Sequence, residues 1–270
     1  MKIASMFGRQ NRILLKELVK TDFKLRYNGS VLGMFWSVLR PLLLFAIMYV
    51  VFIHFLKFGA GIPHFAVSLL LAITLWSFFT EATTQGMMAI VNRGDLIRKI
   101  NFPKYIIVVS ATVSALINFG ISLIVVMLFA VLNGVEFHLH ILLAPLVVLE
   151  LYVLALALAF LLASIYVRFR DIEHIWSVVM QGAFYATPII YPITMVAAVS
   201  PVAAKVLLLN PVAQIIQDMR QLVVLDTTDT VWTYINNPAI QIIPIVIIIV
   251  AIVLAVIVFN KNSKKFAESI

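Results

Sequence analysis

Residues 20–41, KTDFKLRYNGSVLGMFWSVLRP, decide the fold, because within them a basic, polar segment changes into an apolar one. Cations crowd the first part of this stretch and its end, whereas residues 41–55 carry no charged side chain apart from the ring of His54. Membrane proteins retain Lys and Arg on the cytoplasmic side. The stretch therefore predicts that the chain enters a membrane here, with its N-terminus in the cytoplasm.

The composition also indicates a membrane protein. Hydrophobic residues make up 63% of the chain and charged residues 12%, compared with roughly 45–50% and about 25% in soluble domains. A water-soluble core cannot hide this much apolar surface, so the bilayer has to act as the solvent.

The net charge of +8 is explained by topology rather than by a nucleic-acid partner. All Lys and Arg residues except Lys57, Lys205 and Arg220 fall in segments predicted to face the cytoplasm, as the positive-inside rule requires. We therefore expect no nucleic acid. The chain has no Cys, which excludes disulfides and thiolate metal sites, and its first 35 residues lack the pattern of a signal peptide.

The chain begins with a predicted amphipathic helix over residues 11–26. Leu14, Leu18 and Leu25 share one face and basic residues fill the rest, which favours a helix lying in the cytoplasmic interface; a solvated helix is the alternative. Six apolar spans are predicted after it, at residues 35–58, 65–91, 105–132, 141–165, 172–191 and 239–259.

Two apolar runs between the last two spans, residues 193–209 and 211–225, are interrupted by Pro and charged residues. Each is shorter than the roughly 20 apolar residues of a full crossing, which favours re-entrant helices covered by protein. Six spans place the basic C-terminal tail in the cytoplasm, whereas seven would place it outside. The sequence thus predicts an all-α polytopic membrane protein with six transmembrane helices, an N-terminal interfacial amphipathic helix and re-entrant helices between spans 5 and 6.

The opening stretch contains a motif, RY-x-GS-x-LG-x-x-W followed by Pro, at Arg26, Tyr27, Gly29, Ser30, Leu32, Gly33, Trp36 and Pro41. Further motifs are LIRKINFPK at 96–104, RFRD at 168–171, TPIIYP at 187–192 and LNP at 209–211. Together they resemble the membrane subunit of ABC-2-type polysaccharide exporters, the O-antigen and teichoic-acid transport permeases. The resemblance covers nearly the whole chain, and Asn28 departs from it because the family often has a cation there.

The resemblance implies a permease of the bacterial cytoplasmic membrane that exports a lipid-linked polysaccharide, built from two copies of this chain and two copies of a separate ATPase. It divides the chain into a cytoplasmic interfacial segment (1–34), an ABC-2-type transmembrane domain (35–259) and a cytoplasmic tail (260–270). None of the ten Gly residues is followed by Lys, so the chain has no phosphate-binding loop. We expect no cofactor in this chain, with ATP and Mg²⁺ on the ATPase.

The resemblance makes the segment 92–104 the helix that couples to the ATPase. Its predicted coupling residues are Asp95, Leu96, Ile97, Arg98, Lys99 and Ile100. Leu96, Ile97 and Ile100 form one apolar face that can insert into the ATPase, Arg98 and Lys99 can meet acidic rims, and Asp95 can cap the short helix. A basic topology loop is the alternative.

Two aromatic stripes are candidates for the polysaccharide path. Assuming regular helices, Phe45, Tyr49 and Phe52 share a face of the first span. Trp176, Phe184 and Tyr191 share a face of the fifth, before allowing for the break that is predicted at Pro188 and Pro192. The flat faces of aromatic side chains can pack against sugar rings. Helix packing or lipid contact explains the stripes equally well.

A second candidate site is the place where a lipid-linked headgroup enters from the cytoplasm. Arg26, Tyr27 and Arg40 flank the loose joint before the first span, where they can meet phosphates; the alternative is a simple membrane anchor.

Glu81 and Glu150 lie within predicted spans, where a carboxylate is costly, so we expect structural hydrogen bonds or a role in proton transfer. His138 and His140 lack a third ligand, and no metal is expected. Two other functions stay open: export of a drug or small lipid by an ABC-2-type relative, and a membrane-embedded transferase using Asp171, Glu173 and His174.

Overall fold

The computed structural model describes residues 8–27, 33, 35–100, 102–263 and 266, and the side chains of residues 10, 23–27 and 37–38 lie outside this description. No strand occurs among the described residues. The helices in chain order are α1 (Arg9–Tyr27), α2 (Phe35–Met48), α3 (Phe65–Asn92), α4 (Gly94–Lys99), α5 (Tyr105–Leu132), α6 (Ala144–Tyr166), α7 (Ile172–Ala186), α8 (Ile193–Val199), α9 (Pro201–Leu208), α10 (Pro211–Val223), α11 (Val231–Tyr234), α12 (Pro238–Gln241) and α13 (Ile243–Asn262). A π-helix (Tyr49–Phe55) continues α2, and a 3-10 helix (Leu139–Leu143) precedes α6.

Four helical segments within the described residues are long and apolar enough to cross a membrane: Phe65–Asn92, Tyr105–Leu132, Leu139–Tyr166 and Pro238–Asn262. They coincide with four of the predicted spans, so the chain is an all-helical, multi-pass membrane protein. The predicted first span contains a shorter apolar helical stretch, Leu39–Phe55, and α7 has 15 residues. The count of six crossings stays a prediction.

α3 is the central helix of the bundle. Nineteen of its 28 residues are buried, and it packs against α5 and α6. At Gly86 a Cβ atom would lie 2.4 Å from the Cβ of Ala159 on α6, so only Gly allows the two backbones to approach this closely. The helices on its two sides are thereby held in one rigid core.

A second apolar cluster joins several helices at one end of the bundle. This end contains α1, α4 and the α6–α7 turn (residues 167–171), and we call it the basic end. Leu18 of α1, Ile97 of α4 and Ile107 of α5 are buried in this cluster together with Phe259 and Phe266. The helix predicted over residues 11–26 is confirmed as α1, but its apolar face packs partly against protein. The predicted Asp95 cap is wrong, because α4 begins at Gly94 and Asp95 lies within its first turn.

The short helices α8 to α12 form the opposite end. α7 ends at Ala186, and the backbone is irregular until α8 begins at Ile193, as the two Pro residues of TPIIYP predict. Ser200 and Asn210 cap α9 and α10, each accepting a hydrogen bond from a backbone N–H of the next turn. None of these helices is long enough to cross, and their re-entrant placement stays a prediction.

Candidate functional site

A cavity of about 830 Å³ lies between α2, α3, α5 and α7. It is open on one side and contains both aromatic and polar side chains. Its lining consists of Trp36, Arg40, Pro41, Leu44, Met48, Thr74, Trp76, Ser77, Phe78, Thr80, Glu81, Thr84, Gln85, Asn118, Phe119, Ser122, Ser177, Met180, Gln181, Phe184 and Tyr185.

The polar side of the cavity is built by helix periodicity. Ser77, Glu81 and Gln85 recur every four residues on α3, and Asn118 and Ser122 do so on α5, so each set lies along one face of its helix. The Asn118 amide donates a hydrogen bond to Glu81 across the two helices, with an N–O distance of 3.1 Å. Polar side chains inside a membrane bundle are costly and usually face a wet cavity or a functional path.

The aromatic side of the cavity lies where α3 faces α7. The ring centroids of Trp76 and Phe184 are 6.0 Å apart in an edge-to-face arrangement, and those of Phe184 and Tyr185 are 5.3 Å apart. Rings together with amide, hydroxyl and carboxylate groups suit a ligand that presents both apolar faces and hydroxyl groups.

The α7 wall of this cavity has little packing of its own. Among its residues only Met180 is buried, while Gln181 and Tyr185 are exposed. The Trp176 ring nitrogen donates to the Thr83 hydroxyl on α3 at 3.2 Å. α7 is therefore held to the core by a few contacts and leaves one side of the cavity uncovered.

A buried Arg stabilises the chain just after the C-terminal end of α7. No role was predicted for this residue from the sequence. Arg220 of α10 is 3% exposed and donates to the carbonyl oxygens of Pro188 and Ile189, each at 2.7 Å. It also donates to the Ser68 carbonyl at 3.3 Å and to the Gln217 side chain at 2.7 Å. The break after α7 leaves these carbonyls without helical partners, and Arg220 satisfies them.

Arg220 and its carbonyl partners Pro188 and Ile189 are called the Arg220 clamp below. A second polar cluster lies beside this clamp. The Gln214 amide and the Trp232 indole both donate to the Asp218 carboxylate, and Glu150 of α6 lies close to Gln214 and Asp218. Glu150 therefore faces polar groups of α10 rather than lipid.

Comparison with known proteins identifies the class of this molecule. The sequence pattern of the ABC-2 type transporter family matches residues 13–224. The chain belongs to the ABC-2 type transporter family. The expected resemblance is confirmed, and the chain is the membrane subunit of a transporter rather than an enzyme.

Relatives of this ABC-2 chain include permeases that share the same name. It is 34% identical over 206 residues to the O-antigen export system permease protein RfbA of Myxococcus xanthus, covering 76% of this chain and 78% of that protein. It is 28% identical over 259 residues to the protein of the same name from Klebsiella pneumoniae, with 94% of both chains covered.

In this ABC-2 chain the first predicted aromatic stripe does not follow regular α-helical spacing. Phe45 and Tyr49 do pair, with centroids 5.7 Å apart, but Phe52 lies in the π-helix and packs on Phe58. A π-helix has more residues per turn than an α-helix, so the assumed spacing was wrong. None of the three lines the cavity.

The second predicted stripe is also interrupted. Only Phe184 lines the cavity; Trp176 bonds to Thr83, and Tyr191 lies beyond the end of α7, where its hydroxyl donates to the Tyr185 carbonyl at 3.1 Å. The stripe was drawn with regular helical spacing to residue 191, before allowing for the break predicted at Pro188. The helix ends at Ala186, so Tyr191 does not follow that spacing.

The predicted coupling face is corrected in a similar way. Ile97 is 6% exposed and packs inside the basic-end cluster, and Leu96 is half-buried against it. Ile100 is 53% exposed, and Asp95, Arg98 and Lys99 are exposed. The surface available to a partner is therefore Ile100 with its charged neighbours.

The predicted headgroup residues are only partly described. Arg40 is exposed and lines the cavity. Arg26 and Tyr27 belong to α1, but their side chains lie outside the described residues.

The Arg220 clamp predicts a large loss of stability when the guanidinium is removed. Arg220→Met leaves the buried carbonyl oxygens of Pro188 and Ile189 without donors and should lower the free energy of unfolding by roughly 3 kcal/mol. The measurement is thermal unfolding of the purified chain in detergent. Lys205→Met, which removes an exposed cation from neighbouring α9, is the matched control and should leave the midpoint unchanged; an equal midpoint for Arg220→Met would contradict the clamp.

Proposed function

We propose that this chain is the permease subunit of an ATP-driven exporter of a lipid-linked polysaccharide, of the O-antigen or teichoic-acid class, in the bacterial cytoplasmic membrane. Support comes from the names of relatives that match nearly the full chain. Two copies of the chain and two separate ATPase subunits form the exporter, and ATP and Mg²⁺ bind to the ATPase.

The cavity between α2, α3, α5 and α7 is the observation that carries this function. A glycan presents hydroxyl groups to amides and carboxylates and apolar ring faces to aromatic side chains. Gln85, Asn118 and Gln181 supply the first kind of group, and Trp76 and Phe184 supply the second. A drug or small lipid would not require so many hydrogen-bonding groups along the wall.

The lipid-linked headgroup enters this cavity beside Arg40. A guanidinium pairs with phosphate through two parallel hydrogen bonds, and Arg40 is an exposed cation on its lining. The lipid part of the substrate then stays in the bilayer next to α2 while the glycan occupies the polar side of the cavity.

A second copy of the chain covers the open side of the cavity. The α7 surface is largely exposed, with Val178 at 68% and Ile175 at 56%, and the apolar outer face of α2 includes Ile47 at 60%. In the assembled subunit the chain crosses the membrane six times, with α8–α10 as re-entrant helices and both termini in the cytoplasm.

The ATPase docks on the exposed face of α4. Arg98 and Lys99 offer positive charge beside the exposed apolar side chain of Ile100, which suits a partner cleft with acidic rims. Ile97 instead ties α4 to the core, so it transmits force without touching the partner.

Filling the cavity should block export. Gln181→Trp places an indole in the cavity at an exposed position of α7, and export of the lipid-linked glycan should fall on the order of tenfold or more because the path is narrowed. The measurement is surface glycan in cells with matched levels of permease. Val179→Trp makes the same change on the other face of α7, where the residue is 46% exposed and does not line the cavity. Equal export by the two variants would contradict the assignment of this cavity as the path of the glycan.

Changing the docking face should weaken the bound ATPase. Ile100→Asp buries a charge in the contact and should reduce the co-purified ATPase on the order of tenfold, as expected for a central contact residue. Val199→Asp alters an equally apolar, 87% exposed residue at the opposite end and should retain it. Full recovery of the ATPase with Ile100→Asp would show that α4 is not the docking site.

A further inference from the structure

Asp22 of α1 and Arg93 at the start of α4 form an ion pair. Their side chains are 24% and 17% exposed, so water screens the attraction less than on an open surface. The pair links two helices that are distant in sequence and that meet at the basic end.

Packing alone does not fix α1 at this point. A cavity of about 200 Å³ lies behind the pair and is lined by Asp22, Gln85, Met88, Asn92 and Arg93 among others. Side chains that line a void have no packing partners on the side of the void. Charge rather than close packing therefore holds α1 against the junction between α3 and α4. The second oxygen of the Asp22 carboxylate is buried and has no hydrogen-bond partner among the described side chains.

One turn away from the ion pair, Leu18 of α1 and Ile97 of α4 are buried in the same apolar cluster. This cluster holds both helices in the bundle but sets no direction between them, because apolar contacts are not directional. The ion pair adds the directional constraint.

α1 connects α4 to the wall of the large cavity. α4 presents the exposed residues Arg98, Lys99 and Ile100, and α1 continues through residues 28–34 into α2, whose Trp36 and Arg40 line that cavity. A displacement of α4 that is passed to α1 therefore reaches the place where the headgroup enters.

We propose that the Asp22–Arg93 pair is the link through which movement of α4 is transmitted to α1 and α2 during export. Both are positioning residues: neither touches the transported glycan, and each acts by keeping α1 fixed to α4. The proposal rests on the proposed function, because it takes an ATPase on α4 as the source of the movement.

The test compares glycan exported per ATP hydrolysed in proteoliposomes containing the complete permease–ATPase complex. Asp22→Asn and Arg93→Gln should lower this ratio on the order of fivefold or more, as for loss of a typical coupling energy, while the ATPase stays bound and active. Asp22→Glu, which keeps the charge, should retain the ratio, and the exchanged pair Asp22→Arg with Arg93→Asp should recover at least part of it. Glu17→Gln removes an exposed charge from the same helix and serves as the control.

An unchanged ratio in Asp22→Asn would overturn the proposal. So would an equal fall in Asp22→Asn and Asp22→Glu accompanied by loss of assembled complex, since that marks a purely structural contact.

A second readout does not depend on the substrate. The chain has no Cys, so spin labels at Lys20→Cys and Asp95→Cys report the α1–α4 distance in the assembled complex. This distance should stay constant when nucleotide binds to the wild-type background and should change in Asp22→Asn. A distance that behaves identically in both backgrounds overturns the link, whereas failure of the wild-type complex to export glycan would refute only the proposed substrate.

Discussion

The burial of α3 between α5 and α6 is the constraint on which the rest of the structure depends. Its crossing with α6 is so close that Gly86 has no room for a Cβ atom, and this contact fixes the distance between the two helices. α3 also packs closely against α5, where the same Cβ atom would lie 3.2 Å from the Thr112 side chain, and this contact positions the polar residues that both helices turn toward the large cavity. Among these residues, Glu81 and Asn118 are hydrogen-bonded.

Against this rigid core, the two remaining walls of the cavity are held by polar links. α7 is fixed at its far end by Arg220, which replaces the helical hydrogen bonds lost at Pro188, and α2 is connected through α1 to the Asp22–Arg93 pair. In a bilayer a broken helix survives only where protein satisfies its free carbonyl groups. The same break therefore ends α7 and requires a buried cation to satisfy the carbonyl groups that it frees.

Much of this architecture follows from the sequence because the bilayer imposes strict rules on length and polarity. The helix α1, four long apolar helices and the break at TPIIYP were all predicted from charge, apolar runs and Pro. Of the aromatic stripes only Phe184 lines the cavity, because the stripes assumed ideal helical spacing. Neither the π-helix at Tyr49–Phe55 nor the end of α7 at Ala186 can be predicted from periodicity. Ile97 was misplaced because an apolar face does not reveal whether it meets a partner or its own chain. The recurrence of Ser114, Asn118 and Ser122 at four-residue spacing in an apolar helix was the signal for the cavity wall, and Arg220 gave no signal beyond its charge.

The central claim is that the cavity between α2, α3, α5 and α7 carries the glycan. The most direct measurement is site-specific photo-crosslinking in the assembled exporter, with a photoreactive residue at position 181 or at position 179 during export, followed by mass spectrometry of the adducts. The account predicts glycan adducts at position 181 and lipid or protein adducts at position 179. Glycan adducts absent from position 181 while export proceeds would contradict it.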